Sequence, residues 1–568
     1  MIKTWGSLAL KGGLLPFVVF TLAFLLYVPF LGQRDLWAPD EPRYARVAAE
    51  MLERKDFILP RWNGQVYTQK PPLFFWSIAS SARVLGGLNE FSARVPVALS
   101  ACLLAVIVLF LTLELGQPPR VGILAAVCFF SIQKIFWQAR FGQIEMVLNM
   151  LMFGAFLCLL KGLRTKNMAL WVLGGALCGL ATLTKGPIGL VFPGIFTLFA
   201  LLILEGRAFP RIHWWLIAAV AYLVPMLPWM ISVLAVAGPD YLSLVFLKQS
   251  FGRYLDPWHH YKPFYYYLLM FIPGFFPATV LLIPGLFRGF WGSLKEHKRA
   301  LWVSGGIALF VLLFFSLSKG KRDIYILPAY IALCPFVAIL MDQAAKEADR
   351  FRGFWRVVFF FQTLMAWLLG LAGVVFLVDG LLGRIPKNPY GSFEGIVLLL
   401  AGVLFGLSSR LKTSPPVRFL APYIAFSFLL HGFLLPPIDR YKSAKPFVFM
   451  LKSRFGEDVE LASFGPPNVG LLFYFDKNIP VFRDVEGLGV VAKKDGSTRH
   501  LVVCYASDFE KLPKKEAFIP ILKGRIGSKT IIVGRYGLED GANDLVYADP
   551  GHQRVFLGGG KVLHAGAL

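Results

Sequence analysis

Asp40 and Glu41 stand side by side in a Pro-bounded turn, and Arg43, Tyr44, Tyr67 and Lys70 follow within one charged stretch, Trp37–Trp76. A carboxylate can orient or deprotonate an acceptor within hydrogen-bond reach, and lysine and arginine nearby can hold an anionic group. The stretch begins where the first long apolar run ends. It carries too much charge for hydrocarbon, where each ionised side chain costs about 2.5–3.5 kcal/mol on insertion scales. It is therefore expected at a membrane surface, where these residue types suit chemistry on a charged lipid head group. Each also has a plainer reading: Asp40 after Pro39 is a good helix N-cap, and Glu41 is a first-turn glutamate favoured by the helix dipole. The tyrosines and cations would otherwise be ordinary interfacial side chains.

The elements that must position these residues are those of a membrane bundle. Mean hydropathy is +0.61, with 56% apolar and only 16% charged residues, against about 25% charged in soluble domains. The formal charge of +24 is spread in short clusters between apolar runs, as orientation signals and lipid-phosphate contacts would be, which weighs against nucleic acid as a partner and implies membrane lipid. Lys3 and Lys11 precede an apolar run without a small-residue cleavage site, so the first span is expected to be retained. Runs of about 17–24 apolar residues predict spans near 14–32, 95–114, 119–137, 143–160, 168–184, 187–205, 214–236, 264–287, 300–317, 324–341, 356–378, 394–408 and 417–436, about thirteen in all. The short, Ser-containing segment Pro72–Gly87 reads as an amphipathic helix lying on the membrane.

With the N-terminus inside, every inside loop is net positive, including Arg120, Lys161 to Lys166, Lys346 to Arg356, and Arg410 to Arg418, as the positive-inside bias requires. The outside loops then hold Asp40–Lys70, the Arg140–Glu145 turn, Lys185, the Lys248–Lys262 loop and Ser318–Asp323, so the candidate chemistry falls on one side. Lys185, in TKGPIG, would be costly if buried, and it either borders a polar cavity or snorkels outward. Lys319 and Lys321 oppose the orientation bias, and an anion would justify them. Glu145 reads either as a site acid or as a buried partner of Arg140, and His431 as a structural histidine in the last span. From Ile438 the apolar runs VELASF, GLLFYF, HLVVCYA and KTIIVG are of strand length between Gly, Pro and charged turns. The expected organisation is a transmembrane catalytic domain over 1–437, with 33–94 as its first outer loop, and a soluble α/β domain over 438–568.

The blocks DEPRYARVAAEML, PRWNGQVYTQKPPLFFW, LNEFSARVP, LTKGPIGLVFP and SLSKGKRDIYILPAY, in this order, resemble the bacterial lipid-linked-sugar glycosyltransferases of the GT-C fold, in particular the lipid A aminoarabinose transferases, which are related to the protein O-mannosyltransferases. The resemblance implies a multi-pass protein of the bacterial inner membrane whose site and C-terminal domain face the periplasm. It implies transfer of a sugar, 4-amino-4-deoxy-L-arabinose being one candidate, from undecaprenyl or another polyprenyl phosphate to lipid A, lipopolysaccharide or another periplasmic glycan or protein acceptor. A protein O-mannosyltransferase-like enzyme is the alternative within the class. A lipid flippase or transporter is the alternative outside it, although transporters tend to show repeated halves and midplane ionisable residues.

By the same resemblance Asp40 is the catalytic or acceptor-orienting acid, with Glu41, Tyr44 and Tyr67 behind it or at the acceptor. Lys70 and Arg253 match the lipid-phosphate contacts, and Arg43, Lys185, Lys319, Lys321 and Tyr325 line the same pocket. Glu145 stands where relatives have an aspartate. Displacement at the anomeric carbon expels a phosphate of low basicity, which needs preorganised cations more than an acid. A hydroxyl acceptor would need a carboxylate base. A divalent metal is in question, because relatives have an acid and a histidine where this chain has Gln69 and Lys248; His259 and His260 remain as ligands or phosphate contacts, but a histidine pair beside Trp258 and Tyr261 reads more readily as interfacial packing.

Overall fold

The computed structural model describes residues 13–206, 211–252, 261–282, 292, 294–382, 391–483, 500–512, 515–536, 546–548, 554–556 and 562–564. Among them, nine helices are long and apolar enough to cross a membrane: Glu90–Glu114, Ile144–Arg164, Met168–Lys185, Ile212–Gln249, Lys295–Leu317, Asp323–Lys346, Arg352–Leu382, Gly391–Ser408 and Pro415–Lys442. A tenth crossing results if the pair Pro119–Ser131 and Gln133–Ala139, bent by 74°, counts as one span. The bend sits at Ile132, whose extended backbone (ψ 116) interrupts the helix. Leu14–Tyr27 and Ile188–Leu204 are apolar but shorter. Within the expected span 264–287, the described residues form two short helices, Tyr266–Gly274 and Ala278–Leu282. Each expected span thus coincides at least in part with helix, but length and composition alone support nine or ten crossings among the described residues.

Pro72–Gly87 contains a 12-residue helix, Leu73–Val84, too short at ~1.5 Å per residue to cross about 30 Å of hydrocarbon. One side of it is buried through Phe74, Phe75, Ile78 and Ala82. Asn89 starts the next helix with a reciprocal capping box: its side chain accepts from the Ser92 amide, and the Ser92 hydroxyl accepts from the Asn89 amide, both at 2.9 Å.

The two ends of the bundle differ chemically. At one end Arg120 pairs with Asp342 at 3.1 Å, Lys346 with Asp342 at 2.9 Å and Arg164 with Glu205 at 2.9 Å, while Arg299 donates to the Leu204 carbonyl at 3.3 Å. Loops that the charge bias assigns to one side therefore meet. The loops with the candidate chemistry gather at the other end.

The C-terminal segment forms an eight-stranded mixed sheet, in the order 562–564, 554–556, 546–548, 518–526, 529–536, 500–505, 460–464 and 481–482. Helices Lys445–Phe455 and Val469–Phe475 cover one face, where Val448, Leu451, Leu472 and Phe475 pack with Leu461, Leu501 and Val533. Alternate residues of the same strands, Ala462, Val502, Cys504 and Ile532, pack on the other. The sheet contains three of the four expected strands and corrects one: GLLFYF is helical. Asn468 caps it by accepting from the Gly470 and Leu471 amides at 2.9 and 3.2 Å, and Asp476 ends it in the left-handed conformation (φ 60). A short run buried along one helical face reads like a buried strand when only its apolarity is seen.

Candidate active site

Asp40 opens the helix Asp40–Arg54. Pro39, not Asp40, is the N-cap of that helix, and among the described residues no backbone amide donates to the Asp40 carboxylate. It is 4% exposed, and its Oδ2 accepts from Gln143 Nε2 at 2.8 Å and Arg322 Nη2 at 2.6 Å. Among the described residues Oδ1 takes no hydrogen bond, so one oxygen is anchored and the other remains available.

Arg322 is itself held in place. Its carbonyl accepts from the Tyr267 hydroxyl at 3.1 Å, and the next residue, Asp323, pairs with Lys134. Burial lowers the basicity of the guanidinium, but Asp40 and Glu145 outweigh burial and hold its pKa above the ordinary value.

Glu145, in the first turn of Ile144–Arg164, pairs with Lys185 Nζ at 3.0 Å, and the same ammonium lies 4.7 Å from the centre of the Tyr325 ring. Arg140 is not its partner: that guanidinium donates to the carbonyls of Leu26, Tyr27 and Pro29 at 2.7–3.1 Å, closing the C-terminus of the helix Leu14–Tyr27. Lys185 is fixed by the TKGPIG turn. Gly186 ends the helix at φ 85, and a Cβ on Gly189 would run into the Ala181 carbonyl carbon, so only glycine lets the next helix approach this closely.

Tyr44 is buried against Phe74 and Phe75. Burial above all, then Asp40, Tyr67 and Glu145, push its hydroxyl pKa well up, so it stays protonated beside the two acids. Asp40, Arg322, Glu145, Lys185, Tyr325 and Tyr44 thus form one cluster from four separate parts of the chain.

Glu41 has a different environment. Its two oxygens accept from Arg94 Nε and Nη2 (2.6 and 3.0 Å), the Trp37 amide (2.9 Å) and the Gly142 amide (2.7 Å). The side chains of Glu41 and Arg94 are fully buried. Burial raises the carboxyl, but Arg94, Arg34 and the Trp37 amide outweigh it, and the net pKa is lowered. Arg94 uses its remaining donors on the carbonyls of Leu31, Arg34 and Asp35. Glu41 therefore holds together the loop that precedes Asp40 and has no capacity left for a substrate.

Tyr67 is buried, with its hydroxyl 3.4 Å from Gln69 Oε1 and its carbonyl accepting from Tyr241 at 3.2 Å. Lys70 is half-buried just ahead of Leu73–Val84. Arg43 is half-buried and, among the described residues, makes no ion pair. Lys319 is exposed, whereas Lys321 is buried and turns its ammonium onto the carbonyls of Lys262 (3.2 Å) and Ser318, bracing its own loop. His431 packs on Phe136 and Trp137 with Nδ1 2.9 Å from the Ser427 carbonyl; its Nε2 is buried and unpartnered among the described residues, so it is only half satisfied. Arg253, His259 and His260 lie outside the described residues.

Gln69 and Lys248 do not fit a divalent metal. A neutral amide is a weak ligand, Lys248 is an exposed cation, and among the described residues no three His, Cys, Asp or Glu side chains gather where they could hold an ion. Sequence reasoning does not single out Gln143, Arg322 or Arg94. Their signal is present as polar residues at the ends of apolar spans, within the blocks RFGQIEM, SKGKRDIYILP and LNEFSARVP.

Likeness to solved structures defines the class. ArnT from Cupriavidus metallidurans bound to undecaprenyl phosphate superposes with a TM-score of 0.70 over 91% of this chain and 97% of that one, at 20% identity, and its apo state gives a TM-score of 0.70 at 19% identity over the same shares. The fold is that of a multi-pass GT-C membrane protein. In sequence, residues 14–237 match the dolichyl-phosphate-mannose-protein mannosyltransferase family model. The undecaprenyl phosphate-α-4-amino-4-deoxy-L-arabinose arabinosyl transferase of Aeromonas salmonicida is 31% identical over 392 residues, covering 68% of this chain and 69% of the relative. That of Aeromonas hydrophila is 30% identical over 386 residues, covering 67% of this chain and 68% of the relative. The chain belongs to the family of these arabinosyl transferases.

Proposed function

We propose that this protein is a glycosyltransferase that moves a sugar, 4-amino-4-deoxy-L-arabinose in the first instance, from undecaprenyl phosphate to lipid A or a related lipopolysaccharide group. The observation that carries this reading is the cluster in which Asp40, anchored through one oxygen by Gln143 and Arg322, lies beside the Glu145–Lys185–Tyr325 group in a chain of this family. The bond from the anomeric carbon to the phosphate oxygen breaks as an acceptor oxygen bonds to that carbon. The phosphate leaves with the charge, and Lys185, Lys70 and Arg253 are the cations assigned to stabilise it; Lys185, already stacked on Tyr325, needs little reorganisation. Asp40 Oδ1 orients the acceptor oxygen, and takes its proton where the acceptor is a hydroxyl.

A groove of about 410 Å³ supports a lipid donor. It is lined by Thr182, Pro187, Tyr222, Met226, Met230 and Phe246 among others, Thr182 and Pro187 flanking Lys185 in sequence, and it is apolar enough for prenyl units. Net-positive loops at the far end of the bundle support an inner-membrane orientation with the site and the region from 438 onward on the periplasmic side. We assign 1–437 as the catalytic domain and 438–568 as a periplasmic domain. Mass spectrometry of lipid A and other surface glycans, from cells with and without this protein, tests the reading. Loss of one aminoarabinose mass from lipid A is expected; an unchanged lipid A with another glycan altered would overturn the acceptor assignment.

A further inference from the structure

The loop that delivers Asp40 has little structure of its own. Residues 35–37 lie in neither helix nor strand, and each of their backbone amides donates to a side chain. Asp439 Oδ2 accepts from the Asp35 amide at 2.7 Å, the Tyr474 hydroxyl from the Leu36 amide at 2.7 Å, and Glu41 from the Trp37 amide. Asp439 also takes the Trp37 indole N–H through Oδ1 at 2.6 Å. Two of the three amide acceptors therefore belong to the region from 438 onward. Asp439 is 8% exposed and uses both oxygens. The Tyr474 hydroxyl accepts from Leu36 and lies 3.3 Å from Glu90 Oε1, which pairs with Lys445 at 2.7 Å, so it both donates and accepts. Phenylalanine can do neither.

We propose that Asp439 and Tyr474 are positioning residues for Asp40, and that the C-terminal region serves the transfer reaction by fixing the 35–37 loop. The inference rests on the glycosyl transfer proposed above. Leu36 is buried, and a buried backbone amide that loses its only acceptor keeps the desolvation cost without the bond. The loop then shifts, and the Asp40 carboxylate, which follows Trp37 by only three positions, moves with it. Misplacement by about 1 Å can cost a reaction about 100-fold.

The test uses the full-length protein and three variants: Tyr474→Phe, Asp439→Asn and, as control, Asp476→Ala. Asp476 belongs to a second attachment of the same region, 3.2 Å from Arg46, and its side chain is 75% exposed. Turnover and donor KM are measured with undecaprenyl-linked sugar, and amide hydrogen exchange is followed in a peptide spanning 31–41. Tyr474→Phe and Asp439→Asn are expected to lower kcat roughly 10- to 100-fold with donor KM within about twofold, and to speed exchange at 35–37 alone. Asp476→Ala should match the wild type in both readouts. Wild-type kcat and exchange in Tyr474→Phe would overturn the proposal, as would an effect confined to acceptor KM, which would make the region an acceptor-binding one. If the wild type itself transferred no sugar, the proposed function would fail, while the exchange result would still decide whether these side chains hold the loop.

Discussion

Replacing Glu41 with glutamine keeps the shape of the side chain and removes its charge, at a position where four donors converge. In the native protein Arg94 Nε and Nη2, the Trp37 amide and the Gly142 amide all point at its two oxygens. A glutamine turns one oxygen into an NH₂ group, so at least one of these donors faces another donor. Arg94 then stays buried without its counter-ion, close to a second cation, Arg34, which itself lies 3.8 Å from the same carboxylate. Burial and Arg94 already pull Arg34 down to about 10. Removing one partner of a buried pair costs about 3–5 kcal/mol, a large part of the net stability of a typical domain. Glu41→Gln should therefore lower the thermal inactivation temperature of the detergent-solubilised protein markedly, and the molecules that remain folded should keep donor affinity. Because the Glu41 pKa is lowered in the fold, its contribution is fully present above the unfolded value near 4.5 and is lost as pH falls through the folded value. The variant's deficit should thus be constant from neutral pH down to about pH 5 and shrink only in stronger acid. A Glu41→Gln protein that melts like the wild type but fails in transfer would refute this reasoning and place Glu41 in the chemistry.

The adjacent carboxylate should behave in the opposite way. Asp40→Asn is expected to reduce single-turnover transfer about 10²–10⁴-fold with undecaprenyl-phosphate affinity nearly unchanged, and to lower the melting temperature less than Glu41→Gln does, because the Arg322 side chain is 27% exposed and can be solvated when its counter-ion is lost; near-native rates would leave Asp40 as a structural partner of Arg322. Lys185→Ala removes both the Glu145 pair and the Tyr325 stack and should weaken donor binding or turnover by roughly 10–100-fold, as measured by titration with undecaprenyl phosphate. A reporter active only in the cytoplasm, attached after Leu568, should stay silent, and a strong signal would reverse the orientation.

Much of this site is legible in the sequence because its acids and cations interrupt apolar runs, where charge has a cost and so calls for a reason. Asp40, Glu145 and Lys185 stand out that way. What they touch is not legible: Arg322 reaches Asp40 across 282 positions and Gln143 across 103, and only tertiary packing decides such pairs. Glu41 and Asp40 look equivalent as neighbours in a turn, yet successive helical positions point about 100° apart, one toward Arg94 and the other toward Arg322. Lys321 cannot be separated from Lys319 without knowing which way the loop turns. In the C-terminal sheet, the strands at 460–464, 500–505 and 529–536 follow from short apolar runs, whereas the helix at 469–475 needs its Asn468 cap to be weighed above its apolarity.

The most direct test of the central claim is a transfer reaction with purified full-length protein, undecaprenyl phosphate-linked 4-amino-4-deoxy-L-arabinose and lipid A, read by mass spectrometry. The predicted result is lipid A heavier by one aminoarabinose with release of undecaprenyl phosphate, at a rate that collapses in Asp40→Asn. Wild-type protein that leaves both substrates unchanged, or an Asp40→Asn variant that transfers at the wild-type rate, would contradict the account.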